Sequence, residues 1–251
     1  GQAAGPDAVE PGDAEGAGLM FAPVAALASG GVVGLVLGLI GGGGSILAVP
    51  LLLYAVGMPS AHVAIGTAAF AVAVNAAAGL AMHARKAPIH WPCAIVFSLA
   101  GVGGAFAGAA LGKAMDGQKL VALFGILMVV VGLMMLRPKD TGGSQSAWLT
   151  RENARRLLPR LVVLGAGVGL LSGFFGIGGG FLIVPGLILA ADMKLEDATS
   201  ASLVAVTAFG ITAAGSYAWS GLVDWQVAGL LIAGGVAGAL AGTKANAMLA
   251  K

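Results

Sequence analysis

Two ten-residue stretches rich in glycine are the parts of the chain best suited to bind a ligand. The first reads GGGGSILAVP from Gly41 to Pro50, and the second reads GIGGGFLIVP from Gly176 to Pro185. Each predicts a break between two helices, because glycine gives up the most backbone freedom on ordering. A helix that starts after a break presents free N–H donors and the positive end of its dipole, which together suit an anion. The sequence therefore predicts an anion site at the two breaks.

The side chains that could complete such a site are few and uncharged. Asn75, Thr67, Ser202 and Thr207 lie inside apolar runs. A serine or threonine in a helix commonly bonds a carbonyl of its own helix, an arrangement that an asparagine amide satisfies less easily. Pro50 and Pro185 are assigned a structural role. The candidate substrate-binding residues are Gly41, Gly42, Gly43, Gly44, Ser45, Asn75, Thr67, Gly176, Gly178, Gly179, Gly180, Ser202 and Thr207.

Several other chemistries lack the residues they need. Every Asp and Glu lies in the N-terminal tail or in a loop, and we expect neither Asp116 nor Asp224 to act in transport. A carrier that binds Na⁺ or H⁺ through a carboxylate needs an acid within a span, so a cation site is disfavoured. The glycine runs lack the Lys-Ser/Thr ending of a phosphate-binding loop. We find no catalytic triad and no metal-ligand cluster, and expect no enzyme activity, metal or cofactor.

Composition indicates a membrane protein. The chain is 58% hydrophobic and 10% charged, whereas a soluble domain carries about 25% charged residues. The net charge of +2 gives no sign of a nucleic-acid partner. A full span needs about 20 apolar residues, which predicts an all-α polytopic fold of seven full or near-full spans and two short segments. The spans are Leu19–Ile40, Ala61–Met82, Trp91–Leu111, Leu120–Leu136, Leu161–Phe175, Ala198–Trp219 and Trp225–Leu249, and the short segments are Ser45–Val56 and Phe181–Ala191.

The two halves of the chain resemble each other, which indicates an internal duplication. At an offset of 135 the stretch from Gly34 matches that from Gly169, and at an offset of 134 the stretch from Trp91 matches that from Trp225. We therefore divide the chain into a disordered tail (1–18), a first membrane repeat (19–119), an unpaired linking span (120–136), a basic cytoplasmic linker (137–160) and a second membrane repeat (161–251). The single Cys93 excludes an internal disulfide.

The distribution of charge predicts the topology. All of the thirteen lysines and arginines except Lys113 and Lys119 fall on one side if the basic loops and the C-terminus share it. Because such residues collect on the cytoplasmic side, we expect the N-terminus outside and the C-terminus inside. Each repeat has four segments and one unpaired span separates them, so the second repeat enters from the opposite face. The repeats are therefore expected to be inverted, and labels at Ser60 and Asp192 should report opposite faces.

These features together resemble the sulfite exporter family, TauE/SafE. The resemblance covers essentially Leu19 to Leu249 and rests on the doubled glycine-rich stretch, the duplicated halves, the length, and the Asp224–Trp225 pair before the last span. It implies a carrier of sulfite or of organosulfonates in a bacterial inner membrane. Ser45 stands where the second copy has Gly180, and Gly42 where it has Ile177, so the two half-sites are not expected to be equivalent.

The leading hypothesis is a secondary transporter that moves a small anion by alternating access, with the anion and the lipid bilayer as partners. Two alternatives remain open at this point: a passive anion channel, and a membrane scaffold subunit without transport of its own. Matched glycine breaks in two halves of a membrane protein favour a transport site near the midplane. We expect Gly43→Leu or Gly178→Leu to abolish anion binding while the spans still insert.

Overall fold

The computed structural model of the chain describes residues 11–40, 42–83, 91–136, 154–191 and 193–249. Within these ranges the protein contains nine α-helices and no β-strand, so the all-α prediction is confirmed for the part that is described. The helices are α1 (Pro11–Ile40), α2 (Ala48–Pro50), α3 (Ala61–His83), α4 (Trp91–Ala114), α5 (Gly117–Leu136), α6 (Ala154–Phe175), α7 (Gly180–Ala191), α8 (Leu195–Trp219) and α9 (Trp225–Leu249).

Six of the described helices are long and apolar enough to cross a membrane: α3, α4, α5, α6, α8 and α9. α1 contributes the shorter apolar stretch Ala22–Gly38. The other two short apolar segments, Gly44–Ala55 and Gly180–Ala191, each follow one glycine break. The chain is therefore a polytopic helical membrane protein, and a seventh span in α1 stays a prediction.

Several predicted boundaries need correction. α1 begins at Pro11, so residues 11–18 of the predicted disordered tail are helical. α6 begins at Ala154, inside the stretch predicted as a polar linker, and α5 begins at Gly117 rather than Leu120. Basic residues in the first turns of α6 obscured its start in the sequence.

The two halves pack against each other in a reciprocal way. α1 lies along α9, and α4 lies along α6, so the first helix of each half contacts the last helix of the other. In both pairs the residue numbers of facing positions rise together, which means that the paired helices run parallel. The facing positions are Gly30 with Leu231, Gly34 with Gly235 and Gly38 with Ala239 in one pair, and Gly165 with Phe97, Gly169 with Gly101 and Gly173 with Ala105 in the other.

The absence of side chains at these glycines lets the paired backbones touch. A Cβ on Gly34 would overlap the backbone of Gly235, and a Cβ on Gly169 would overlap that of Gly101. Small residues four apart allow this close approach of helices in lipid, where van der Waals packing replaces the hydrophobic effect between helices. The glycine spacing seen in the sequence therefore marks the two interfaces between the halves.

α3 and α8 form the centre of the protein and run antiparallel. Gly66 in α3 faces Leu222 just after α8, Ala73 faces Gly210, and Gly79 faces Leu203. Their surroundings are apolar: Ala64, Val72 and Val206 belong to one large cluster of buried residues. α5, in contrast, leaves most of its apolar side chains exposed, which suits a helix at the lipid-facing periphery.

Candidate functional site

The second glycine break is a tight turn between α6 and α7 that only glycine adopts without strain. Gly176, Gly178 and Gly179 have φ values of 61°, 67° and 69°. Side-chain-bearing residues rarely enter this left-handed region, because Cβ then crowds the following carbonyl. The turn lies within the protein, since every residue from Gly176 to Gly180 is buried. α7 consequently starts inside the protein and not at its surface.

The turn leaves a run of backbone donors without acceptors. The amide of Gly176 donates to the carbonyl oxygen of Gly173 (3.2 Å), and that of Ile177 donates to Ser172 (3.3 Å). Bonds to the carbonyl of Gly179 resume at Leu182 and Ile183. Among the residues that the structure describes, no acceptor takes the N–H groups between these points, which belong to Gly178, Gly179, Gly180 and Phe181. Unpaired donors of this kind surround the start of α7, where the helix dipole is positive.

Ser172 adds a hydroxyl to these backbone donors. Its side chain is fully buried in the last turns of α6, at 0% exposure. Its Oγ finds no hydrogen-bond partner within the described part of the chain. The hydroxyl lies beside the turn, since a Cβ on Gly179 would stand 2.7 Å from Oγ. Buried hydroxyls are nearly always bonded, so a free one beside free N–H groups indicates a place for an acceptor-rich ligand.

The turn reaches the middle of the two central helices. A Cβ on Gly178 would stand 2.9 Å from Cγ1 of Val72 in α3 and 3.3 Å from Cγ1 of Val206 in α8. Both valines are buried. The donors therefore lie in apolar surroundings, where a hydrogen bond to an anion is stronger than it is in water.

The first glycine break has a different shape. Gly42–Leu47 forms a 3₁₀ turn, followed by α2 and by one π-helical turn at Leu51–Ala55. Gly44 presses against the backbone of α1 near Val33 and Leu37, and Ser45 is fully buried. Gly41 lies outside the described residues. This segment contacts α7, the helix that follows the second break, and a direct meeting of the two breaks stays a prediction.

The duplicated sequence permits a residue-by-residue comparison of the two breaks. Gly44 and Gly179 correspond at the offset of 135, and the residues they press against, Leu37 and Ser172, correspond at the same offset. A hydroxyl is thus present beside the second break where the first has a leucine. The two breaks therefore differ at this pair of residues, and the inequivalence expected from Ser45 and Gly180 stays a prediction.

The predicted polar ligands fall into two groups. Asn75 is 1% exposed, and neither its Nδ2 nor its Oδ1 has a partner within the described residues. Ser202 and Thr207 donate their hydroxyl hydrogens to α8 itself, to the carbonyls of Thr199 and Leu203, each at 2.7 Å. Their roles as ligands stay predictions, as do those of the glycines.

Thr67 has a structural partner. Its Oγ1 accepts a hydrogen bond from the backbone N–H of Asp224 at 3.0 Å, which ties α3 to the start of α9.

The two prolines assigned a structural role lie in the short segments that follow the breaks. Pro50 is the last residue of α2, before the π-helical turn, and Pro185 lies inside α7. Because proline has no N–H, Pro185 leaves the carbonyl of Phe181 without its helical donor.

The two loop aspartates cap helices. Oδ1 of Asp224 accepts the N–H groups of Gln226 (3.0 Å) and Val227 (3.1 Å) at the start of α9. Oδ1 of Asp116 does the same at the start of α5 for Gln118 (2.9 Å) and Lys119 (3.3 Å). These contacts give both aspartates a structural role at the ends of helices.

We expect Asp224→Ala to destabilise the protein by about 1 kcal/mol, because the first turn of α9 loses its cap. Asp224→Asn keeps an acceptor oxygen and should retain most of the stability. Both variants should bind substrate as the unmodified protein does. Thermal unfolding in detergent, measured together with ligand affinity, checks these expectations. A loss of affinity in well-folded Asp224→Asn would show that the carboxylate takes part in binding.

Two buried groups are not evident as site residues from the sequence alone. Ser172 resembles an ordinary helix serine in the sequence, and only the position of the turn shows that its hydroxyl is free. Tyr217 is fully buried at the end of α8, with its hydroxyl unpartnered in the described part of the chain. Lys113 lies over its ring, 5.9 Å from the centroid, and donates to the carbonyl of Ser216 at 2.9 Å. Tyr217 just inside the end of one predicted span and Lys113 just beyond the end of another were the only sequence signal for this contact.

The side chains that the structure describes include no group of three or more His, Cys, Asp or Glu able to hold a metal ion. His62 lies close to the loop after α4, where its Nε2 donates to the carbonyl oxygen of Met115 at 3.0 Å. The contact positions that loop against α3, a structural role for this histidine.

The apolar helices indicate a membrane protein, and comparison with known proteins identifies it as a membrane transporter. The chain belongs to the sulfite exporter TauE/SafE family, which matches residues 26–251. A probable membrane transporter protein of Xylella fastidiosa (strain 9a5c) is 47% identical over 220 residues, which cover 88% of this chain and 83% of the relative. Another from Methanocaldococcus jannaschii is 30% identical, over 72% of this chain and 67% of the relative. No solved structure matches the chain.

Proposed function

We propose that the protein is a secondary transporter that carries a small oxyanion across the bacterial inner membrane, and that the anion binds at the start of α7. The observation that carries the proposal is the set of free N–H groups from Gly178 to Phe181 beside the free hydroxyl of Ser172. Every one of these groups is a donor, and none carries a full charge. The set suits the oxygens of sulfite or of a sulfonate, the substrates that family membership favours.

The lack of a cationic side chain in this part of the site has a consequence for transport. A buried lysine or arginine would hold an anion tightly, whereas backbone dipoles stabilise it without a fixed countercharge. Binding can then be strong enough for entry and weak enough for release on the other side. The apolar environment compensates in part for the missing countercharge, because it strengthens each hydrogen bond between a donor and the anion.

Alternating access follows from an inverted arrangement of the halves, which three observations support. Residues at equivalent positions of the two halves make equivalent contacts. The helix α1 runs parallel to α9, as α4 does to α6. The helix α3 runs antiparallel to α8, its counterpart in the other half. A two-fold axis in the membrane plane accounts for all three. Rocking of one half against the other about the meeting point of the breaks would expose the site to each side in turn.

Cysteine labelling tests the inversion. Ser60 precedes α3, and Lys194 precedes α8. We use Lys194 in place of Asp192, because Asp192 lies outside the described residues. In a Cys93→Ala background, a membrane-impermeant thiol reagent should label Ser60→Cys from outside the cell and Lys194→Cys only after the membrane is opened. Gln118→Cys, which follows α4, should behave like Ser60→Cys. Labelling of Ser60→Cys and Lys194→Cys from one face would exclude inverted repeats.

Flux measurements in liposomes test the function itself. The purified chain should move sulfite or a sulfonate in exchange for, or together with, a second solute, so that a gradient of that solute drives uphill accumulation. Flux that only follows the anion's own electrochemical gradient would support a channel instead. A complete lack of flux with correctly inserted protein would favour the scaffold alternative. We expect no enzymatic change of the transported anion.

A further inference from the structure

Asn75 carries a buried amide that the proposed anion site does not use. The residue is 1% exposed, and both Nδ2 and Oδ1 are without partners among the described residues. A carboxamide offers two N–H donors and one carbonyl acceptor, and leaving them unpaired in the interior is unfavourable. A ligand that both accepts and donates hydrogen bonds would satisfy this group.

Asn75 lies about one helical turn along α3 from the residue that contacts the turn before α7. Asn75 follows Val72 by three residues, which places both on the same face of α3. Val72 is the residue that contacts the turn at Gly178. One turn of helix rises about 5 Å, so a single small molecule can touch the α7 donors with one end and Asn75 with the other.

The position equivalent to Asn75 in the second half is apolar. Gly235 in α9 faces the carboxamide of Asn75, whereas Gly101, its counterpart in α4, faces the ring of Phe209. Phe209 is fully buried and stacks on Phe97 with a centroid distance of 6.2 Å. The amide is therefore present in the first half of the chain only, and packing at the equivalent interface of the second half does not require it.

We propose that Asn75 forms a second subsite, which recognises a hydrogen-bond donor on the end of the anion remote from α7. The inference rests on the proposed function. The groups at the start of α7 only donate, so they take the oxyanion oxygens. Oδ1 of Asn75 only accepts, so the remote end of the substrate must supply a hydroxyl or ammonium hydrogen. An anion with an apolar remote end leaves Oδ1 buried and unpaired, and a site of this kind rejects such an analogue.

Two sulfonates of equal charge and similar shape test the subsite: 2-hydroxyethanesulfonate, which ends in a hydroxyl, and propane-1-sulfonate, which ends in a methyl. The purified full chain should bind the hydroxyl compound at least about tenfold more tightly, because the methyl compound leaves a buried acceptor unpaired. In Asn75→Leu that preference should disappear. Ser172→Ala should weaken the binding of both compounds by the same factor, because it acts on the shared sulfonate end.

Binding of sulfite tests whether the hydrogen that Asn75 accepts belongs to the protonated anion itself or to the organic group of a sulfonate. If Asn75 accepts from the hydroxyl of the protonated anion, affinity for sulfite should fall as the pH rises through its second ionisation, and Asn75→Leu should flatten this dependence. If the dependence is equally flat in both proteins while the sulfonate preference holds, the donor belongs to the organic group.

Equal affinities of the unmodified protein for the two sulfonates would overturn the subsite, as would a preference that persists in Asn75→Leu. Either result leaves the proposed function standing, because both compounds still bind. If neither compound binds to folded protein, the proposed function fails and the subsite with it. Asn75→Ala provides a second, smaller replacement in case leucine disturbs the contact with Gly235.

Discussion

Gly179→Ala should abolish measurable anion binding, with affinity reduced at least about 100-fold through the loss of two or more hydrogen bonds to a charged ligand. The new methyl group would stand 2.7 Å from both Cβ and Oγ of Ser172, beside the free N–H groups, so it would crowd the hydroxyl that the anion needs. Isothermal titration with a sulfonate checks this expectation. The added methyl group acts by filling the site, and no charge is removed.

The backbone at Gly179 also becomes strained in this variant, and the chain offers a control for that effect. Gly221 has the same φ of 69°, yet a Cβ there would meet nothing within 4 Å. Gly221→Ala should therefore lose about 1 to 2 kcal/mol of stability, as Gly179→Ala does through its φ, but keep its affinity. Wild-type affinity in folded Gly179→Ala would exclude the second break as the site.

The φ values also change what we expect of Gly178→Leu. A side chain at φ 67° is strained, and its Cβ would crowd Val72. Lost binding in that variant would thus be accompanied by lost stability, contrary to the expectation of normal folding that the sequence suggested. Gly179→Ala, paired with Gly221→Ala, separates the two effects more cleanly.

Gly169→Leu should prevent stable folding. A Cβ at this position would overlap the backbone of Gly101, so the side chain would have to force α6 and α4 apart along their whole contact. Overpacking costs about 1 to 3 kcal/mol where side chains can move aside, and a backbone neighbour cannot do so. We expect little monodisperse protein after detergent extraction, as measured by size-exclusion chromatography.

Gly167→Leu is the matched control for this variant. Gly167 lies in the same helix, two residues away, and a Cβ there would meet nothing within 4 Å. Its yield should equal that of the unmodified protein. Normal yield and thermal stability in Gly169→Leu would show that the two halves do not meet through the α4–α6 contact described here.

Much of the fold could be predicted from the sequence because membrane helices carry long apolar signals. The spans in α3, α8 and α9 start and end within a few residues of their predicted positions. The four-residue spacing of Gly30, Gly34 and Gly38 is also typical of a helix-packing surface. It could not reveal which helix that surface meets, since the partner α9 lies in the other half of the chain, and sequence spacing contains no information on such distant contacts.

The site was less predictable. The doubled glycine stretches located both breaks, but they could not show that one forms a left-handed turn and the other a 3₁₀ turn. That difference depends on neighbours such as Val72 and Val206, which the fold alone brings to Gly178. The hydroxyls were also indistinguishable in sequence. Thr207 bonds its own helix, whereas the hydroxyl of Ser172 has no partner among the described residues, and sequence spacing alone does not distinguish the two.

The central claim is that an oxyanion binds between the free N–H groups of α7 and the hydroxyl of Ser172. The most direct measurement compares the affinity of purified Ser172→Ala for a sulfonate with that of Thr212→Val, whose hydroxyl bonds Ala208 in its own helix at 2.8 Å. Removing a hydroxyl that is free in the unliganded protein should leave stability unchanged or slightly raised. Affinity should fall roughly 10- to 100-fold in Ser172→Ala, since a hydrogen bond to a charged group is lost, and stay unchanged in Thr212→Val. Unchanged affinity in a well-folded Ser172→Ala protein would contradict the account.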